Sequence, residues 1–213
     1  MSSISDLKKI SVLIPAYNEE LVLLQCIQIW QRLSYENKEA IFINDGSTDN
    51  TMGVLHDFLE LSIIEKGITK DSTSGKILNL YQSKEFTEIY VIDQLNGGKS
   101  VALNTGISMA TGEIVITLDA DSILESDSLS VINESFADPK VIAAGGMVQV
   151  GQLINRKGNI IYGKNWIIKY QLSGYLSSFY VRKVTQAKLS VLGVVSGAFG
   201  AFRLNILQQI GGG

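Results

Sequence analysis

At 213 residues, 46% hydrophobic and 18% charged, the chain is long enough for one large domain with a real core, and its composition is that of an ordinary globular protein. A single cysteine and a single histidine exclude an internal disulfide framework and leave a Ser-His-Asp or multi-histidine metal site little to work with; no apolar run reaches the ~18 residues of a membrane span. The net charge of −3 conceals a split: residues 1–138 hold all 21 acids with nine bases, a formal −12, whereas 139–213 hold nine bases and no acid.

Residues 1–9 read as a polar lead-in without a secretory signal pattern. Ile10 to Ile14 is a buried-strand run stopped by Pro15, which cannot donate to a ladder. Pro15 to Glu19 is then a loop, and Leu23, Ile27 and Trp30 form the buried stripe of a helix that also carries Cys26 as a core thiol. Ala40 to Ile43 is a second strand. It runs into Asn44-Asp45-Gly46-Ser47-Thr48-Asp49, where Gly46 permits a sharp turn and Ser47 or Thr48 is placed to cap a helix bearing Met52, Leu55 and Leu59. His56, on a polar helix face, reads as inert. Residues 66–76 are polar and aperiodic and read as an exposed loop. Glu88 to Ile92 is a third strand, Asp93 to Gly98 a turn, and Lys99 opens a helix to about Ala110. Gly97-Gly98-Lys99-Ser100 matches only the end of a phosphate-binding loop, since position 93 is Asp where the full pattern needs Gly. Lys99 nevertheless stands at a helix N-terminus, which favours anions.

Glu113 to Ile116 is a fourth buried strand and leads into Thr117-Leu118-Asp119-Ala120-Asp121-Ser122. If pairing lasts to the end of that strand, Asp119 and Asp121 point the same way. Two carboxylates there need a cation to offset their desolvation, and Mg²⁺ or Mn²⁺, with hard oxygen ligands, would in turn hold phosphate oxygens. The alternative is a turn with two solvated acids. A helix over Asp127–Phe136 follows, burying Leu129, Ile132 and Phe136, then a turn at Asp138-Pro139 and an extended run over 141–150. Residues 164–188 are aromatic, basic and helical in pattern, suited to a membrane interface or to a missing part of the protein. Residues 192–200 read as a strand, and a short helix precedes the terminal glycines.

Alternation of strand and helix over 1–150 predicts an open α/β sheet, parallel at its core, with helices on both faces. Residues 151–213 read as the start of a second half within one structural domain. Ligands of such sheets lie outside the carboxyl ends of the strands, the edge to which Tyr17, Asp45, Lys99, Asp119 and Asp121 all fall.

The ordered set IPAYNE at 14–19, INDGSTDNT at 43–51, NGGKSVALNTG at 96–106, LDADS at 118–122 and SGAFGAFR at 196–203 resembles a family 2 glycosyltransferase of the GT-A fold. The wording is closest to processive membrane synthases of the hyaluronan, chitin-oligosaccharide and poly-N-acetylglucosamine type. The resemblance implies a metal-dependent, inverting transfer from a UDP-sugar such as UDP-N-acetylglucosamine to a polysaccharide. It places Pro15, Tyr17 and Glu19 around the nucleotide, with Tyr17 beside the base, and Asp45 on the uracil. Lys99 falls near the base and diphosphate, Asp119 at the ribose and diphosphate, and Asp121 on the metal with Asp119 next to it. Ser196, Gly197 and Ala198 fall on the acceptor side. The family's general base lies in an ED motif, and a QxxRW motif lies further on among membrane helices. Neither is present, so the expectation is a donor-binding fragment that lacks its base, from a protein at the cytoplasmic face of the plasma membrane and attached through missing C-terminal segments. A non-processive transferase for a lipid-linked or cell-surface glycan and a non-catalytic binding module stand as alternatives. A nucleotidyltransferase lacks its glycine- and arginine-rich triphosphate loop. The basic tail carries no nucleic-acid-binding motif, so no nucleic-acid partner is expected.

Overall fold

A computed structural model describes residues 7–65, 74–145 and 199–210. In chain order the described elements are β1 (Ile10–Ala16), α1 (Leu23–Arg32), β2 (Lys38–Asp45), α2 (Thr51–Leu59), β3 (Leu61–Ile63), β4 (Ile77–Ser83), β5 (Ile89–Gln94), α3 (Lys99–Met109), β6 (Ile114–Leu118), α4 (Ser128–Ser135), β7 (Ala143–Gly145), β8 (Phe199–Arg203) and α5 (Leu204–Gln209). The strands form one mixed sheet in the order β3-β4-β5-β2-β1-β6-β8-β7. Its centre is parallel, β5-β2-β1-β6, and it is flanked by antiparallel pairs at β3-β4, β4-β5 and β6-β8.

The central strands are near-continuous apolar runs because both their faces are covered. Ile41, Phe42 and Ile43 of β2 are fully buried, and each such side chain contributes roughly 1.5–3 kcal/mol by leaving water. Alternate residues feed two cores. Ile10, Val12, Ile14 and Phe42 pack with α1, α2 and α4 through Leu23, Ile27, Trp30, Leu55, Leu129 and Phe136. Leu13, Ile41, Ile43 and Val115 pack on the other face with Ala102, Ile107 and Met109 of α3 and Leu207 of α5. Cys26 belongs to the first core, and burial pushes its thiol up to about 12, which fits an inert core residue.

The backbone divides into two units, Met1–Ala144 with Gly197–Gly213, and Gly145–Ser196. Of the second, only Gly145 is among the described residues. The tail after residue 198 belongs with the first unit, since β8 runs antiparallel to β6 from Ile114↔Arg203 to Leu118↔Phe199. Arg203 fixes this return. Its guanidinium donates to the carbonyls of Val141, Phe136 and Asp138 at 2.7, 3.0 and 2.9 Å and lies over the Phe136 ring.

Four details depart from the sequence reading. β3 and β4 form an antiparallel pair at the sheet edge that the polar stretch around residue 70 conceals. β5 extends through Asp93 and Gln94, paired with Asn44 and Asp45 of β2. β6 ends at Leu118, so neither aspartate of the acidic pair lies on a strand. And α2 starts at Thr51, past Ser47 and Thr48; Asp49 Oδ1 accepts the Thr51 N–H at 2.9 Å, and neither hydroxyl caps the helix. The aromatic-basic stretch 164–188, residues 192–198 of the strand expected over 192–200, and the acceptor-side residues Ser196, Gly197 and Ala198 lie outside the described residues.

Candidate functional site

The parallel strands open at their carboxyl ends onto a cavity of about 250 Å³ lined by Pro15, Ala16, Tyr17, Glu19, Asp45, Lys99, Ala102, Asp119, Ala120 and Asp121. Every nucleotide- and metal-site residue expected from the sequence within residues 1–138 is therefore on one wall or another of a single cleft. They come from the ends of β1, β2 and β6 and the first turn of α3. Tyr17 is half exposed, with its ring available at the rim.

Asp45, 3% exposed, closes β2. Its Oδ1 accepts Gln94 Nε2 at 2.8 Å and the Gly97 N–H at 2.9 Å, and its Oδ2 accepts the Gly98 N–H at 2.8 Å. A carboxylate offers about four acceptor positions, so one on Oδ2 is left by partners among the described residues. The glycine amides that could have cradled a phosphate are thus turned onto a carboxylate. Asn96 Nδ2 donates to the Asp45 carbonyl at 2.8 Å, and Asn44 Nδ2 to Asp93 at 2.8 Å, so the β2 and β5 loops are laced together. Gly46 sits in this seam at φ +68°, where an added Cβ would come within 2.6 Å of the Asn96 nitrogen. Gly98, at φ +84°, supplies the backbone turn that opens α3. Gln94 and Asn96 were not singled out in the sequence; their signal was only their place beside the Gly-Gly-Lys run.

The acidic pair reaches the cleft by a different route from the one the strand pattern implied. Asp119 to Ser122 form a tight turn closed by Ser122 N–H donating to the Asp119 carbonyl at 2.9 Å. The turn, rather than strand pleating, brings both carboxylates to the cavity. Lys99 Nζ donates to Asp119 Oδ1 across it. Partial burial, and then the charges of Asp121, Asp119 and Asp49, push the Glu19 carboxyl above its ordinary value. Among the described residues no three acidic, histidine or cysteine side chains are grouped to hold a metal. Two carboxylates at one cavity still fit a hard divalent ion of the kind that completes its shell with water and phosphate oxygens.

The loop expected over Pro15 to Glu19 carries a set of contacts that the sequence did not show. Asn18, in the left-handed conformation at φ +58°, ties the β1 loop to the segment between β2 and α2.

Comparisons with known proteins give the family and the fold. Over 203 residues the chain is 30% identical to a poly-beta-1,6-N-acetyl-D-glucosamine synthase of Staphylococcus epidermidis, covering 95% of this chain and 41% of the relative. The chain thus spans less than half the length of such curated relatives. Among solved structures, the mannosyltransferase PcManGT from Pyrobaculum calidifontis, in complex with GDP-Man and Mn²⁺, superposes with a TM-score of 0.68 at 21% identity, over 96% of this chain and 47% of that one. TarS of S. aureus, in complex with UDP-GlcNAc, does so at 0.55 and 15% identity, over 95% and 47%. These likenesses give the GT-A fold. The family described as Glycosyl transferase family 2 matches residues 11–211, and the chain belongs to it.

Proposed function

We propose that this chain supplies the donor-binding half of a metal-assisted, inverting glycosyltransferase that moves a sugar from a UDP-sugar, UDP-N-acetylglucosamine or a near relative, to a polysaccharide. The observation that carries the reading is the single cavity that gathers Tyr17, Glu19, Asp45, Lys99, Asp119 and Asp121. The synthase relatives and the UDP-GlcNAc complex of TarS support the choice of donor.

In this reading the Tyr17 ring lies beside the base, and the remaining acceptor position of Asp45 takes a uracil N–H. Pro15 and Glu19 shape the same end of the pocket. Lys99 exchanges part of its hold on Asp119 for the diphosphate, placing one fixed positive charge where leaving-group charge develops. Asp121, with Asp119 beside it, would hold a Mg²⁺ or Mn²⁺, which when bound supplies Lewis-acid neutralisation of the diphosphate. An acceptor hydroxyl also needs a base within hydrogen-bond reach. No carboxylate occurs after Asp138, so the base belongs in this reading to the portion that the longer relatives have and these residues do not. Attachment to a membrane is assigned to that portion too; no helix among the described residues is long and apolar enough to cross one. Ser196, Gly197 and Ala198 keep their place on the acceptor side, whether the acceptor is a free or a lipid-linked glycan. The acid-free tail favours a second reading for the 213 residues alone, namely nucleotide binding without transfer.

Calorimetry with UDP, with and without Mn²⁺, tests the proposal. The expected result is binding that strengthens with Mn²⁺ and little or no release of UDP from UDP-N-acetylglucosamine. Absence of binding at millimolar nucleotide would overturn it.

A further inference from the structure

We infer that Asn18 is a positioning residue: it locks the β1 loop onto the β2–α2 segment and thereby sets Tyr17 and Glu19 in the cleft. The inference rests on the nucleotide-binding reading above and concerns a residue that touches none of the chemistry itself.

Asn18 is exposed, and exposed side chains away from special features usually tolerate change within about 0.5 kcal/mol. Here it is neither loose nor idle. Its backbone is left-handed, a conformation that costs a non-glycine residue energy and that asparagine tolerates better than most. Its Oδ1 accepts three bonds: from the Thr48 N–H at 2.8 Å, the Thr48 hydroxyl at 3.3 Å and the Asp49 N–H at 3.3 Å. Its own N–H donates to Ser47 Oγ at 3.0 Å. The next residues continue the stitch. Glu19 N–H donates to the buried Thr51 Oγ1 at 2.8 Å, and that hydroxyl donates on to Asp49 Oδ1 at 2.5 Å. Glu20 N–H donates to Asp49 Oδ2 at 3.2 Å, and Asn50 N–H returns to Glu20 Oε2 at 2.9 Å.

The arrangement has a direction. The β2–α2 segment is anchored by the buried Thr51 and Asp45, whereas the β1 loop carries two cleft residues on backbone that leaves the sheet after Ala16. The sharp turn at Asn18 is what sends Tyr17 to the rim and Glu19 into the cavity. A loop free to relax from that turn would keep the fold, whose core lies beneath it, and lose the preset geometry of the site, and preset geometry is what limits the ordering cost of a bound ligand.

Three variants test this by calorimetry with UDP and by thermal melting, on the 213-residue chain. Asn18→Gly keeps the left-handed backbone accessible and removes the acceptor. Asn18→Asp keeps both the acceptor and the tolerance of that backbone. Ser47→Ala removes the acceptor of the Asn18 N–H and leaves the Asn18 side chain unaltered. The expected pattern is UDP affinity about tenfold weaker for Asn18→Gly and about threefold weaker for Ser47→Ala, losses of about 1.4 and about 0.65 kcal/mol, with Asn18→Asp close to the starting protein. Melting temperature is expected to move little in all three. If the unaltered chain binds UDP and Asn18→Gly binds it equally well, or loses melting temperature alone, the interlock is only structural and the inference is wrong. If Asn18→Gly does not fold, the Ser47→Ala affinity decides by the same criterion. If the unaltered chain binds no UDP, the nucleotide reading itself fails first.

Discussion

Strand β2 carries a buried carboxylate at each end, and the two are handled differently. Glu39, near its start, is 3% exposed, as is Asp45 at its close. Both fall on the same face of the strand as Ile41 and Ile43, the face that packs against α3. Glu39 is sealed. Its Oε1 accepts Ser11 Oγ at 2.6 Å and the Thr111 N–H at 2.8 Å, and its Oε2 accepts the Thr111 hydroxyl and Lys9 Nζ, each at 2.8 Å. Ser11 Oγ in turn accepts the Gly112 N–H at 2.8 Å. All four acceptor positions are used and the charge is balanced by a lysine. Asp45 is held by neutral donors, with one acceptor position that no partner among the described residues takes. Glu39 thus pins the connection after α3 while Asp45 pins the loop before it. One end of the sheet is closed for stability, and the other is held in shape yet left unsaturated. A site of this kind is recognised less by a buried acid than by what its partners leave undone.

The contrast predicts opposite phenotypes. Glu39→Ala strands the buried Ser11 hydroxyl and the part-buried Thr111 N–H, and is expected to cost about 2–4 kcal/mol of stability, measured by denaturant unfolding, while UDP affinity of the folded fraction is unchanged. Its hydrogen bonds from Lys9, Ser11 and Thr111 outweigh burial and hold the Glu39 carboxyl below its ordinary 4.5. Its stabilising contribution is therefore full above that value and is lost as pH falls below it, through the folded-state value. Unfolding of Glu39→Ala should depend less steeply on pH in that acidic range; an unchanged slope would show that another carboxylate governs it.

Asp45→Asn should do the reverse. An amide nitrogen in place of one oxygen meets the Gly97 or Gly98 N–H donor to donor, so the Lys99 loop shifts. UDP affinity is expected to fall about tenfold, with a stability loss nearer 1–2 kcal/mol. Equal affinity for both proteins would remove Asp45 from the site. The smallest effect is expected for Lys99→Ala. Its ion pair with Asp119 is well exposed on the lysine side, so melting should change by less than about 1 kcal/mol equivalent, and the measurable loss should be in UDP binding and in the salt dependence of that binding.

Much of the frame was legible because central parallel strands are apolar on both faces: β1, β2, β5 and β6 stand out as runs of Ile, Val and Phe. The edge did not. Ile77–Ser83 mixes Asn79 and Gln82 into its pattern, and its pairing with β5 shifts register between Ile77 and Asn79, so neither period was clear. Around the cavity, Asp45, Lys99 and the acidic pair were singled out from their positions after strand runs and from the family resemblance. The turn that presents Asp119 and Asp121 stood only as the alternative, with both acids solvated, because a strand that stops at Leu118, just short of the pair, leaves no mark in composition. Asn18 was passed over for a similar reason: its importance lies in a backbone angle and in partners some 30 residues away.

Gly46 adds a quantitative corollary. With the Asn96 nitrogen 2.6 Å from where a first carbon would stand, the separation of two lip segments is dictated by the lack of a single methyl group. Any bulkier substituent there would wedge these two segments apart and shift the Gly97-Gly98 turn that leads into Lys99, so the spacing of the β2 and β5 ends beside the cavity is gauged by hydrogen alone.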